Sequence, residues 1–131
     1  MEEMEQKVCS DTDVVIALLN NEERAVTLTT SIRDDFVYIS TITLFELLLR
    51  KTNLQAIEIF RDKVYILDFD EHSARKASLL FKELQSKGRS NEIRDVFIAA
   101  SSIMHNCTLV TFNTKHFEHI DELRLFPFEK R

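Results

Sequence analysis

The chain has 131 residues, 44% of them hydrophobic and 30% charged, with a formal net charge of −5. This is the length of one domain, residues 1–131, with a real core and the ordinary composition of a soluble globular protein. One Gly and one Pro argue against long linkers and a turn-rich all-β fold; no apolar run reaches membrane length, and the acidic start MEEMEQK lacks the charge of a signal peptide.

Lys7-Val8-Cys9-Ser10 reads as a first strand, and the chain turns at Asp11-Thr12-Asp13. Val14 to Leu19 then supply the apolar side of a helix that ends near Asn20-Asn21. Asp11 suits the N-cap of that helix and Asp13 its first turn, where negative charge complements the helix dipole. A second helix covers Glu22 to Arg33. Phe36 to Ile39 form the second strand, stopped by Ser40-Thr41, and Ile42 to Leu49 continue as a strongly apolar helix. Within it lies Glu46. A capping box from Thr43 would account for Glu46 if the helix began at Thr43; a start at Ser40 or Thr41 leaves it without that job.

Leu54 to Arg61 is a further helix, and Val64 to Leu67 a third strand. Asp70 caps a long helix that stops at Lys87-Gly88. The next helix starts at Ser90 or Asn91, and Ile93, Val96, Phe97, Ala100, Ile103 and Met104 recur at helical spacing until Asn106 closes it. Asp95 stands in its first turn, off the apolar stripe, so packing alone does not force it inward. Cys107 to Thr111 is a short buried strand, Asn113 opens a short helix through His119, and Leu123 to Phe126 is a last strand marked as an edge by Pro127. Cys9 and Cys107 read as buried, reduced core thiols, which places the chain in the cytosol. His116 and His119 read as surface histidines; with no Cys or third His nearby they do not make a zinc site.

Strands alternating with helices imply a three-layer α/β/α fold around a mostly parallel sheet of four to five strands. In such folds helices begin at the carboxyl edge of the strands, and ligands bind there. Asp11, Glu46, Asp95 and Asn113 all fall on that edge, although they come from separated parts of the chain. Carboxylates crowded together repel by about 4 kcal/mol per pair at 4 Å with an effective dielectric near 20. They stay apart, share protons, or hold a divalent cation. Oxygen-only ligands suit Mg²⁺ or Mn²⁺, which would bind a phosphate oxygen and activate water against a phosphodiester.

The stretches Ser10-Asp11-Thr12-Asp13-Val14-Val15-Ile16, Tyr38-Ile39-Ser40-Thr41 leading to Glu46-Leu47, Arg94-Asp95-Val96-Phe97-Ile98-Ala99-Ala100, and Leu109-Val110-Thr111-Phe112-Asn113 with Phe117 resemble the PIN-domain ribonucleases, above all the VapC-like toxin branch. The resemblance runs through nearly the whole chain in order. It implies a parallel sheet between helices with strand one beside strand four. It also implies RNA cleavage with Mg²⁺ or Mn²⁺ held by Asp11, Glu46 and Asp95, and an antitoxin protein as partner. A second copy of the chain is a further expected partner; a membrane is not. Asn113 joins the catalytic set at a position where many members carry a fourth acid. Asp13 and Thr111 are candidate additions, Asp13 standing where a small polar residue is commoner. Two other readings compete. A haloacid-dehalogenase-like phosphatase would use Asp11-Thr12-Asp13 as its nucleophile motif, but it lacks the late acidic pair and leaves Glu46 and Asp95 unused. An inactive PIN-like module that only binds a protein rests on Asn113 alone.

The net charge does not advertise nucleic-acid binding, yet six basic residues lie between Arg75 and Arg94 against two acidic ones, Glu83 and Glu92. Lys87, Arg89 and Arg94 precede Asp95 and are expected at the RNA backbone; Arg75 and Lys76, a long helix away, are not.

Overall fold

The computed structural model describes residues 7–32 and 36–127. The acidic start before Lys7 and the expected helix end at Arg33 lie outside the described residues. In chain order the elements are β1 (Lys7–Ser10), α1 (Thr12–Leu19), α2 (Glu23–Ile32), β2 (Phe36–Ser40), α3 (Thr41–Leu48), α4 (Leu54–Arg61), β3 (Tyr65–Leu67), α5 (Glu71–Ser86), α6 (Ile93–Met104), β4 (Thr108–Val110), a 3₁₀ turn at Thr114–His116, and β5 (Arg124–Leu125). The sheet order is β3-β2-β1-β4-β5. Every pairing is parallel, with Cys9 level with Tyr38 on one side and Leu109 on the other.

Alternation along the strands sorts the core into two layers. Cys9 and Leu109 face α5 and α6, where they join Leu80, Leu84, Val96, Ala99 and Phe117. Val8 and Val110 face the opposite way, onto Val14, Leu28 and Ile32 of α1 and α2. Ile39 points the same way as these and meets Val15, Leu47 and Ile57 of α1, α3 and α4. Strands covered on both faces read as continuous apolar runs, which is how β1 and β4 appear in the sequence. Cys9 and Cys107 are buried free thiols. They lie on neighbouring strands as expected, except that Cys107 falls one residue before β4. No described helix is long and apolar enough to cross a membrane.

Helices α5 and α6 run antiparallel. The Phe69 and Phe97 rings meet at 4.6 Å, and His105 Nε2 at the end of α6 lies 3.3 Å from Asp68 O before the start of α5. The loop 87–92 therefore joins their other ends, beside Asp95.

The element ends carry the corrections. Helix α6 starts at Ile93 with Glu92 as N-cap, not at Ser90 or Asn91, because the Asn91 side chain is engaged elsewhere. The helix expected from Asn113 to His119 is only the 3₁₀ turn, and β3, β4 and β5 are each shorter than expected. Three of the stops, by contrast, share one device. After α1, α5 and α6 the residues Asn21, Gly88 and Asn106 take positive φ. Each pairs its N–H with the carbonyl three back (Leu18, Gln85, Ile103), while the following residue reaches Ala17, Leu84 or Ser102. These are Schellman caps, and Asn fills the left-handed position twice in a chain with a single Gly.

The caps predict a graded response at Asn21. Asn21→Ala puts a Cβ without a compensating polar group in the left-handed region and should lower stability by about 1 kcal/mol in urea unfolding, whereas Asn21→Gly should be neutral or better. Equal losses for both substitutions would show that the Asn21 side chain, rather than its backbone conformation, holds the stop.

Candidate active site

Strand order reverses between β1 and β4: from β1 the chain moves outward through β2 and β3, then returns to β4 and β5. Such a switch point leaves a crevice at the carboxyl ends of the two strands. Asp11 follows β1 and Thr111 follows β4, so both stand at its mouth, and the Asp11 N–H donates to Val110 O at 2.8 Å. Asp11 is 6% exposed. It accepts the Thr12 N–H on Oδ1 and the Thr111 hydroxyl on Oδ2, each at 2.8 Å. The first of these is the N-cap expected for α1. Burial pushes the carboxyl up to about 7, with Asp13 and then Asp95 adding their charge; the hydrogen bonds from Thr111 and Thr12 oppose the rise. Thr111 Oγ1 also accepts the Asn113 N–H at 3.1 Å.

Helix α3 begins at Thr41, and the cap is Ser40, whose Oγ accepts the Thr43 N–H at 3.0 Å. No capping box from Thr43 forms, and Glu46 is left for the site. Its Oε1 accepts the Thr12 hydroxyl at 2.6 Å, and its Oε2 lies 3.4 Å from Arg94 Nη1. Asp95 is half-buried in the first turn of α6, with Oδ2 3.2 Å from His116 Nδ1. Burial raises its carboxyl; His116 opposes this, and Glu92 and Glu46 add to it. Asp11, Glu46 and Asp95 thus share one electrostatic neighbourhood, each leaning on a local partner.

The other expected residues divide. Asp13 Oδ2 accepts the Phe112 N–H at 3.1 Å, tying the start of α1 to the segment after β4. Its Oδ1 is buried without a hydrogen-bond partner, and burial raises its carboxyl. Asn113 is exposed, and its side chain caps nothing. Lys87 is paired with Glu83 at 3.0 Å, and Arg94 with Glu46 over the Phe45 ring, 5.9 Å away. Arg89 lines an open cleft of about 270 Å³ with Asn91, Asp95, Lys115, His116 and His119. Thr12, Asn91, Lys115 and the two histidines are residues that sequence reasoning passed over. Asn91 Nδ2 donates to His116 O at 2.9 Å, and its Oδ1 lies 3.1 Å from His119 Nε2. That clamp holds the 3₁₀ turn against the entry to α6. Nothing in the sequence marks it beyond the short distance of His116 from the end of β4.

Among the described residues no three acidic, His or Cys side chains are close enough to form a ready metal cage. The chemistry of the donors nevertheless fits a hard divalent cation. Asp11 is a carboxylate raised by burial and by the charges of Asp13 and Asp95, Asp95 one raised by burial and by Glu92 and Glu46, and Asp13 adds a buried oxygen with no hydrogen bond.

The family model of the PIN domain matches residues 8–123. The tRNA(fMet)-specific endonuclease VapC of Shigella flexneri is 29% identical over 125 residues, spanning 90% of this chain and 95% of its own. Ribonuclease VapC2 of Rickettsia felis is 31% identical over 105 residues, 75% of this chain and 78% of its own. Among solved structures, DNA-bound VapBC from Salmonella typhimurium superposes with a TM-score of 0.82 at 27% identity, covering 92% of this chain and 97% of that one. VapBC-1 from nontypeable Haemophilus influenzae gives 0.80 at 25% identity, with the same coverage.

The electrostatics predict a stability cost at Asp11. Its folded pKa lies above the ordinary value of 3.8, so the stability it contributes is complete below that value and is lost as pH rises through about 7. With chelator present, the wild type should lose stability between about pH 4 and pH 7 and level off above that. Asp11→Asn should flatten that loss and gain about 1–2 kcal/mol at pH 8. A variant less stable than the wild type at pH 8 would contradict the assigned repulsion.

Proposed function

The chain belongs to the PIN domain family, and from that premise we propose that it is a divalent-metal-dependent endoribonuclease acting as the toxin of a toxin–antitoxin pair. What supports this reading is the linked electrostatics at the carboxyl edge of the sheet: burial, Asp13 and Asp95 raise the Asp11 carboxyl, and burial, Glu92 and Glu46 raise that of Asp95. The haloacid-dehalogenase-like alternative leaves two of these acids idle and has no counterpart in the family match.

Asp11, Glu46 and Asp95 would hold Mg²⁺ or Mn²⁺, which supplies positive charge to the phosphate oxygens and eases deprotonation of the attacking water. The remaining work falls to the chain's own residues. Thr111 and the Thr12 N–H orient the Asp11 oxygens, the Thr12 hydroxyl orients Glu46, and His116 orients Asp95. Such outer partners fix ligand geometry. Arg94 is paired with Glu46, and Arg89 is left for the RNA backbone. Asn113 reaches the site through its backbone N–H on Thr111, so a side-chain carboxylate at 113 is not needed to tie that segment to Asp11.

The antitoxin is proposed on two grounds. The superposed relatives were solved as VapBC assemblies, and α3 leaves Phe45, Leu48 and Leu49 exposed at i, i+3, i+4 spacing. An apolar helical stripe of this kind fits a partner's apolar segment.

RNA cleavage titrated with Mg²⁺ and Mn²⁺ tests the function. The wild type should be inactive in chelator and active at millimolar metal, with Asp95→Asn and Glu46→Gln each reduced by at least about 100-fold. Cleavage by Asp95→Asn at the wild-type rate, or full activity in chelator, would refute the assignment.

A further inference from the structure

We propose that Arg89 and Lys115 form a subsite for a non-scissile phosphate of single-stranded RNA, next to Asp95. The inference rests on the ribonuclease reading and goes further by naming which cations hold the strand.

Charge pairing separates the basic residues. Lys87 is paired with Glu83, Arg94 with Glu46, Arg75 with Glu71 and Lys76 with Glu122. Arg89 and Lys115 are exposed, line one cleft with Asp95, and have no acidic partner among the described residues. An unpaired cation adds more to binding a phosphate than a paired one, because no existing ion pair must first be broken. The cleft also holds Glu92 and Asp95, whose charges repel RNA, so a phosphate settles there only against concentrated positive charge.

The backbone under both cations is held in place. Gly88, with φ +69°, ends α5, and the Schellman bond from the Arg89 N–H to Leu84 O at 2.9 Å fixes Arg89 just past the turn. Lys115 sits in the 3₁₀ turn, which Asn91 ties to the α6 entry through His116 O and His119. Phe117, fully buried, anchors the same turn in the core. The space, about 270 Å³, is roughly nine times the ~30 Å³ share of a bulk water molecule, room for a phosphodiester group. Single strands are held in this way, by cations that track the backbone.

The test uses the full chain and a short single-stranded RNA cut at one mapped bond. Copies are made in which one phosphate at a time is an uncharged methylphosphonate. For the wild type, one non-scissile position should raise KM by about 10-fold with kcat within twofold, as expected for binding shared by ground and transition states. Arg89→Ala with Lys115→Ala should raise KM by a similar factor, leave the Mn²⁺ midpoint unchanged, and abolish the effect of that one methylphosphonate. Arg89→Lys with Lys115→Arg should restore most of it. If every methylphosphonate penalty persists at full size in the double-alanine variant, or the variant loses kcat with KM unchanged, the subsite is refuted while the ribonuclease reading stands. A wild type that cuts no RNA with any divalent metal overturns both.

Discussion

Asp11 is held where a carboxylate is least comfortable, buried at the mouth of the crevice between β1 and β4. Its backbone N–H is bound to Val110 O and its oxygens to Thr12 and Thr111. The same residue therefore closes the β1–β4 junction, caps α1 and carries a charge that burial penalises. A hydrogen bond to a charged group stabilises by about 1.5–3 kcal/mol. Carboxylates about 4 Å apart repel by a similar or larger amount. Local hydrogen bonds can thus hold the acids in place but do not remove the repulsion, and a cation can.

The surrounding side chains make sense as a response to that imbalance. Each acid has a partner from another element: Thr111 for Asp11, Thr12 and Arg94 for Glu46, His116 for Asp95. These contacts cross between β1, β4, α3, α6 and the 3₁₀ turn, so the site is fastened by groups the core does not need. Arg94 illustrates the economy of the arrangement. It offsets Glu46 and lies over Phe45.

Much of this was legible before any coordinates. Continuous apolar runs at Val8-Cys9 and Leu109-Val110 marked strands covered on both faces. Asn21, Gly88 and Asn106 marked helix ends because few residues tolerate the left-handed conformation. Glu46 could be recognised as unexplained once the helix start was questioned, and the structure's Ser40 cap settles that start. What stayed hidden depends on side-chain pairing across the fold. Asn91 has the composition of an N-cap yet spends its amide on His116 and His119, a contact between residues 25 and 28 positions apart. Lys87 and Arg89 are equivalent as sequence; only the Glu83 partner on the preceding helical turn separates them. Strand ends also shortened, since pairing with a neighbour, rather than apolar character, decides where a strand stops.

The central claim is that the fold concentrates carboxylate repulsion at one edge and that a divalent cation relieves it. Calorimetric titration of Mn²⁺ at pH 7, repeated in two buffers of different ionisation enthalpy, measures the binding and the protons released with it. With the Asp11 carboxyl near 7, saturable binding should release about half a proton per chain, and the release should fall toward zero at pH 9. Absence of saturable binding, or binding with no proton release at pH 7, would contradict the claim.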